Sequence, residues 1–129
     1  MKISPFTLYL CLATTLVLAT PLSTSAEPVT QILEVRVDGD PAEYLSVVRQ
    51  LDAMSREVTP GVKIRVWRAL LAGEDAGKLV IAIEHPSLEA YAAHRTKLQA
   101  HKGWASLLQK ARKTGRRRVS NSLLSEVTP

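Results

Sequence analysis

The stretch Gln31-Ile32-Leu33-Glu34-Val35-Arg36-Val37 decides the fold. Leu33, Val35 and Val37 fall on one side of an extended chain, and Ile32, Glu34 and Arg36 fall on the other. Strict alternation over seven residues is the signature of a β-strand with one strongly apolar face. Asp38-Gly39-Asp40-Pro41 ends it and opens a helix. Asp40 suits the N-cap, Pro41 the first helical position, and Glu43 completes an arrangement like a capping box. Tyr44, Leu45, Val47, Val48, Leu51 and Met54 then recur at helical spacing, and the pattern fades near Glu57 and Val58, before Thr59-Pro60-Gly61.

The remaining elements follow by the same reasoning. Val62–Leu71 is a second strand, with Val62, Ile64 and Val66 on one face and Lys63, Arg65 and Trp67 on the other. Residues 72–77, with two glycines around an acidic pair, read as a hairpin loop. Lys78–Glu84 is nearly all apolar, as expected of a strand covered on both faces. Pro86 and Ser87 open a second helix through Leu88, Tyr91, Ala92, Arg95 and Leu98. Gly103 bends it, and Trp104, Leu107, Leu108 and Ala111 carry the pattern to a stop at Gly115. The last strand, Arg117–Val127, sets Val119, Asn121, Leu123, Ser125 and Val127 against Arg118, Ser120, Ser122, Leu124 and Glu126. The order β-α-β-β-α-β predicts an α+β, ferredoxin-like plait: a four-stranded antiparallel sheet with helices on one face.

Residues 1–26 stand outside this domain. Lys2, an apolar run from Phe6 to Ala19, and Ser23-Thr24-Ser25-Ala26 make the three parts of a secretory signal peptide, with cleavage expected after Ala26. The run of roughly 14 residues falls short of the ~20 that span a bilayer, and no later segment is longer or more apolar. The expected product is a single domain over residues 27–129, exported to the periplasm or beyond, with no stable membrane insertion. Loss of Lys2 lowers the net charge from +5 to +4, and the one cysteine, Cys11, leaves with the leader. The mature chain therefore has no disulfide, cysteine nucleophile or thiolate metal site.

On alternation alone, Glu34, Arg36, Arg65, Trp67 and Glu84 share the sheet face that the helices leave bare, beside Ile32, Val80, Ala82 and Leu124. That face is too apolar to stay wet and too charged for a plain core, so a second copy is expected to cover it. Two cations, two carboxylates and an indole facing a confined space suit a small anionic or aromatic ligand. His85, at a strand–helix junction, joins them as an acid–base candidate. The alternative is a salt-bridge lattice that fills the space.

Other chemistry has little support. His94 and His101 lie seven residues apart, ~10 Å along one helix, too far to share a zinc ion. No metal or cofactor is expected. Residues 110–118 hold six cations (Lys110, Arg112, Lys113, Arg116, Arg117 and Arg118), but export and the absence of interleaved aromatics argue against nucleic acid. The patch reads as a solvated helix end, or as a docking surface for an acidic partner. Ser120, Ser122 and Ser125 form no nucleophile elbow. There is no Gly-rich phosphate loop, HExxH motif or EF-hand loop.

Four segments carry a resemblance: Gln31–Val37, Val66-Trp67-Arg68-Ala69, His85-Pro86-Ser87-Leu88-Glu89-Ala90-Tyr91, and Lys97-Leu98-Gln99-Ala100 running on to Trp104-Ala105-Ser106-Leu107-Leu108. With them the chain resembles the dimeric α/β-barrel superfamily, which includes antibiotic-biosynthesis-type monooxygenases, stress-responsive barrel proteins and NIPSNAP-like proteins. The resemblance spans Val29–Val127 and specifies fold better than chemistry. It implies a homodimer with a barrel between subunits. It carries over no catalytic residue, and the Asn, His and Trp of the haem-degrading members have no counterpart arrangement. The expected function is an exported dimeric barrel protein that binds a small organic ligand between its sheets. The alternatives are a cofactor-independent monooxygenase acting on a small aromatic or redox-active compound, and a non-enzymatic interaction module using the basic patch.

Overall fold

The structure, a computed structural model, describes residues 26–70 and 73–127. The expected signal peptide, apart from Ala26, lies outside the described residues, as do Leu71 and Ala72. Four strands and three helices follow in the order β1 (Val29–Val37), α1 (Pro41–Val58), β2 (Lys63–Arg68), β3 (Leu79–His85), α2 (Leu88–Ala100), α3 (Trp104–Lys113) and β4 (Arg116–Ser125). The strands form one antiparallel sheet in the order β2-β3-β1-β4. This is the ferredoxin-like plait expected from the sequence.

The capping chemistry works as the sequence indicates. Asp40 accepts a 2.9 Å hydrogen bond from the Ala42 amide with Pro41 in the first helical turn, and Ser87 Oγ accepts one of 3.0 Å from the Ala90 amide. The second helix breaks in two at His101, whose Nδ1 accepts from the Gly103 amide at 3.0 Å. Gly115 adopts φ 72°, the left-handed turn that ends α3, and its carbonyl accepts from the Asp38 amide. This contact ties the start of β4 to the end of β1.

The core lies between the sheet and the helices. Val35 and Ile81, each 1% exposed, occupy neighbouring central strands and pack with Leu79, Ile83, Val48 and Leu107. Burying each such side chain stabilises the fold by roughly 1.5–3 kcal/mol. β3 is the most enclosed strand, with Leu79, Ile81, Ala82 and Ile83 all buried.

β4 departs from simple alternation. From Ser125 to Ser120 it pairs regularly with β1, with Asn121 opposite Leu33 and Ser120 opposite Glu34. The next pair joins Arg118 to Val35, so Val119 has no partner. The extra residue is a β-bulge. It reverses the facing of the strand's first half: Arg118 and Arg116, opposite Val35 and Val37, turn toward the helices. Unbroken alternation had placed Arg118 on the bare face.

Candidate functional site

The bare face of the sheet carries the residues assigned to it by alternation. Glu34 pairs across β1 and β3 with Val80, which pairs with Trp67. Arg65 sits opposite Ala82, and Glu84 opposite Thr30. Their charges are largely satisfied within the chain. Arg65 Nε lies 3.2 Å from Glu84, and Arg36 lies 3.2 Å from Asp75 and also donates to the Glu74 carbonyl. Lys78, not foreseen in this set, bridges Glu34 at 3.2 Å and Asp75 at 2.8 Å. Its ammonium is stabilised by Asp75, and the Asp75 carboxyl is in turn held below the usual carboxylate range by Lys78. Beside these pairs the face also carries apolar side chains: Trp67 is 48% exposed and Leu124 52%, next to half-buried Ile32 and Val80.

His85 does not join them. As an odd-numbered residue of β3 it shares the helix-side parity of Ile81 and Ile83 and is 3% exposed. Its ring lies 5.3 Å, edge-on, from Tyr91 and 5.2 Å from His94 on α2, between ring centroids. The histidine pair formed by the fold is thus His85 with His94. His101 is engaged elsewhere, 3.4 Å from Glu57. Both buried imidazoles are pushed toward the neutral form by loss of solvent. For His94 the pKa falls to about 4, aided by His85 and Lys97.

His94 leads to a cavity of about 200 Å³ between the sheet and the helices. Leu33 and Val35 of β1, Val48 and Leu51 of α1, Leu98 of α2 and Leu107 of α3 make its apolar floor. The exposed members of its lining mark the open side. They are Arg95 and Gln99 from α2 and Arg118 and Asn121 from β4, with half-buried Arg116 beside them. Gln31 donates to Asn121 at 2.9 Å, joining β1 to β4 at this opening. Arg95 donates to the Tyr91 hydroxyl at 3.1 Å. Tyr44 is buried and its hydroxyl is pushed up by desolvation, partly offset by Arg116. No Asp or Glu lines the cavity.

Sequence reasoning placed the ligand on the other face and missed this cavity. Its apolar lining read as ordinary core. Its cationic rim depends on the Val119 bulge, for which the sequence carries no signal in a Ser- and Arg-rich strand. Among the described residues, no group of three or more His, Cys, Asp or Glu is placed to hold a metal ion, and no helix is long and apolar enough to cross a membrane.

This sheet order with its helix layer is a fold that the chain shares with solved structures of an oxygenase and of NIPSNAP family proteins. The chain is similar to SnoaB, a cofactor-independent oxygenase from Streptomyces nogalater, with 21% identity and a TM-score of 0.61 over 81% of this chain and 97% of that one. It is similar to a NIPSNAP family protein from Agrobacterium tumefaciens (17% identity, TM-score 0.62, 79% and 88% covered). A second NIPSNAP family protein from that organism, of unknown function, gives 20% identity and a TM-score of 0.61 over 78% and 88%. No protein-family model matches the chain, and no curated protein matches it. The resemblance read from the sequence therefore extends to the fold.

Proposed function

We propose that the protein is an exported, homodimeric barrel protein that binds a small organic molecule in the cavity between its sheet and helices. The observation carrying this reading is the cavity itself: an apolar floor formed by β1 and the three helices, opening through a polar rim. Sites that bind drug-sized ligands run from about 300 Å³ upward, while an apolar cavity near 150 Å³ holds benzene. A volume of about 200 Å³ therefore suits a molecule of one or two rings. The ligand sits on the helix side of the sheet rather than between two sheets. The bare face, with its intrachain ion pairs and exposed Trp67 and Leu124, is the surface for a second copy. Export rests on the leader at residues 1–26.

Replacing Val48, which lines the cavity, by Phe tests the ligand reading. The expected result is a folded protein that no longer takes up naphthalene-sized probes. Unchanged uptake by Val48→Phe would overturn the placement of the site.

A second reading, oxygenation without a cofactor, is favoured by the likeness to SnoaB. Such chemistry needs a substrate that supplies its own electrons to dioxygen after losing a proton. His94 is the cavity's neutral imidazole and the group that would take that proton. With a pKa of about 4 it is a weak base near neutral pH, which places binding ahead of catalysis. Oxygen uptake on adding a hydroquinone, lost in His94→Leu, would support the enzymatic reading, and no uptake would discard it. The basic patch is the weaker site. Arg116 and Arg118 face the cavity, Arg117 is held by Asp38 at 2.8 Å, and Lys110 donates to Gln50.

A further inference from the structure

We infer that the cavity's ligand is a lipophilic monocarboxylate, seated with its hydrocarbon on the floor and its carboxylate at the arginine rim. This inference rests on the binding reading above and adds the ligand's charge.

Three guanidiniums, those of Arg95, Arg116 and Arg118, line one small cavity that has no carboxylate on its wall. Elsewhere on the chain, Arg36, Arg56, Arg65 and Arg117 each lie within 3.2 Å of an Asp or Glu oxygen, while Arg49, Arg68 and Arg112 stand singly on the exposed surface. The three at the cavity have no such partner among the described residues. Like charges gathered at one opening set up a positive potential there, and an anion entering it is attracted and relieves their mutual repulsion. The neighbouring groups carry no opposing charge. His94 is neutral above pH ~4, Tyr44 and Tyr91 are phenols, and Gln31, Gln99 and Asn121 are amides.

The rim also limits the number of charges. Arg95 already donates to the Tyr91 hydroxyl at 3.1 Å, and Arg116 lies against the Tyr44 hydroxyl. Arg118 has no hydrogen-bond partner among the described residues, so its planar fork is free to take a carboxylate through two parallel N–H bonds. One free fork above an apolar floor suits one carboxylate on a hydrocarbon body. A polyanion would bring charge against Leu33 and Leu107.

Calorimetry at pH 7.5 on the protein as recovered from an export-competent host distinguishes the cases, with 1-naphthoate and its uncharged near-isostere 1-naphthamide as probes. Naphthoate is expected to bind at least tenfold more tightly, with the ratio shrinking as salt rises. Arg95→Gln with Arg118→Gln should narrow the ratio toward one. Arg112→Gln, an exposed cation of α3 outside the cavity, should keep it. Equal or tighter binding of the amide would overturn the charge assignment and leave the site standing. Failure of both probes to bind would instead overturn the binding reading itself.

Discussion

His85, the last residue of β3, and His94, in the middle of α2, face each other with ring centroids 5.2 Å apart, and no described protein group hydrogen-bonds to any of their four ring nitrogens. Each side chain is 3% exposed. A buried imidazole without partners is tolerated as the neutral form and strongly opposed as the cation.

Stability therefore depends on pH in a defined direction. The His94 pKa is lower in the folded chain, about 4, than the ordinary 6.5. The unfolded chain binds more protons between those values, so stability is full above pH ~6.5 and declines as pH falls toward 4. The decline attributable to this group is on the order of 3 kcal/mol. Urea unfolding at pH 7 and pH 4.5 should show it, and His94→Leu should lessen it. Parallel curves for the two proteins would mean that other groups govern acid sensitivity.

Ile81 occupies the centre of the sheet and is 1% exposed. Truncation to Ala leaves a cavity that the strands on either side cannot close, and the expected loss is 2–5 kcal/mol in chemical denaturation. A loss below about 1 kcal/mol would show that the helix layer collapses onto the gap.

Trp67 is the largest apolar side chain on the bare face. It is 48% exposed and outside the buried core, so on replacement by Ala the circular dichroism spectrum should persist while self-association weakens. Light scattering should find a dimer for the parent protein and a shift toward monomer for Trp67→Ala at micromolar concentration. An unchanged mass for the variant would move the assembly surface elsewhere.

The proposed signal peptide makes a separate prediction. Material recovered from an export-competent host should have lost its first 26 residues, with Glu27 at its amino terminus. Intact mass spectrometry reads this directly. Retention of the full chain would make residues 1–26 an anchor.

The plait was legible because alternation and helical spacing are strong where one face is buried. Gln31–Val37 and the Tyr44–Met54 stripe reported their own geometry, and Asp40 and Ser87 marked helix starts that the structure bears out. The bare-face set Glu34, Arg36, Arg65, Trp67 and Glu84 was legible for the same reason. His85 was not, because a residue at a strand end was grouped with the open face by proximity rather than by parity. The cavity was hidden more deeply. Leu33, Val48 and Leu107 look identical in sequence whether they meet one another or surround a space, and the pairing of His85 with His94 depends on the angle at which α2 crosses β3.

The unpaired Val119 has a consequence for how such a site changes over time. Continued regularly from Asn121, β4 would offer Val119 and Arg117 to the helix side, hence one cation. With one additional residue in the strand, Arg118 and Arg116 take those places and Arg117 turns away to Asp38. Ligand charge preference in this scaffold thus turns on the pairing phase of β4, with no arginine gained or lost. A lineage could pass between neutral and acidic ligands by a slip of that phase, whereas deletion of Val119 alone would leave Arg118 opposite Val35 and Arg116 opposite Val37.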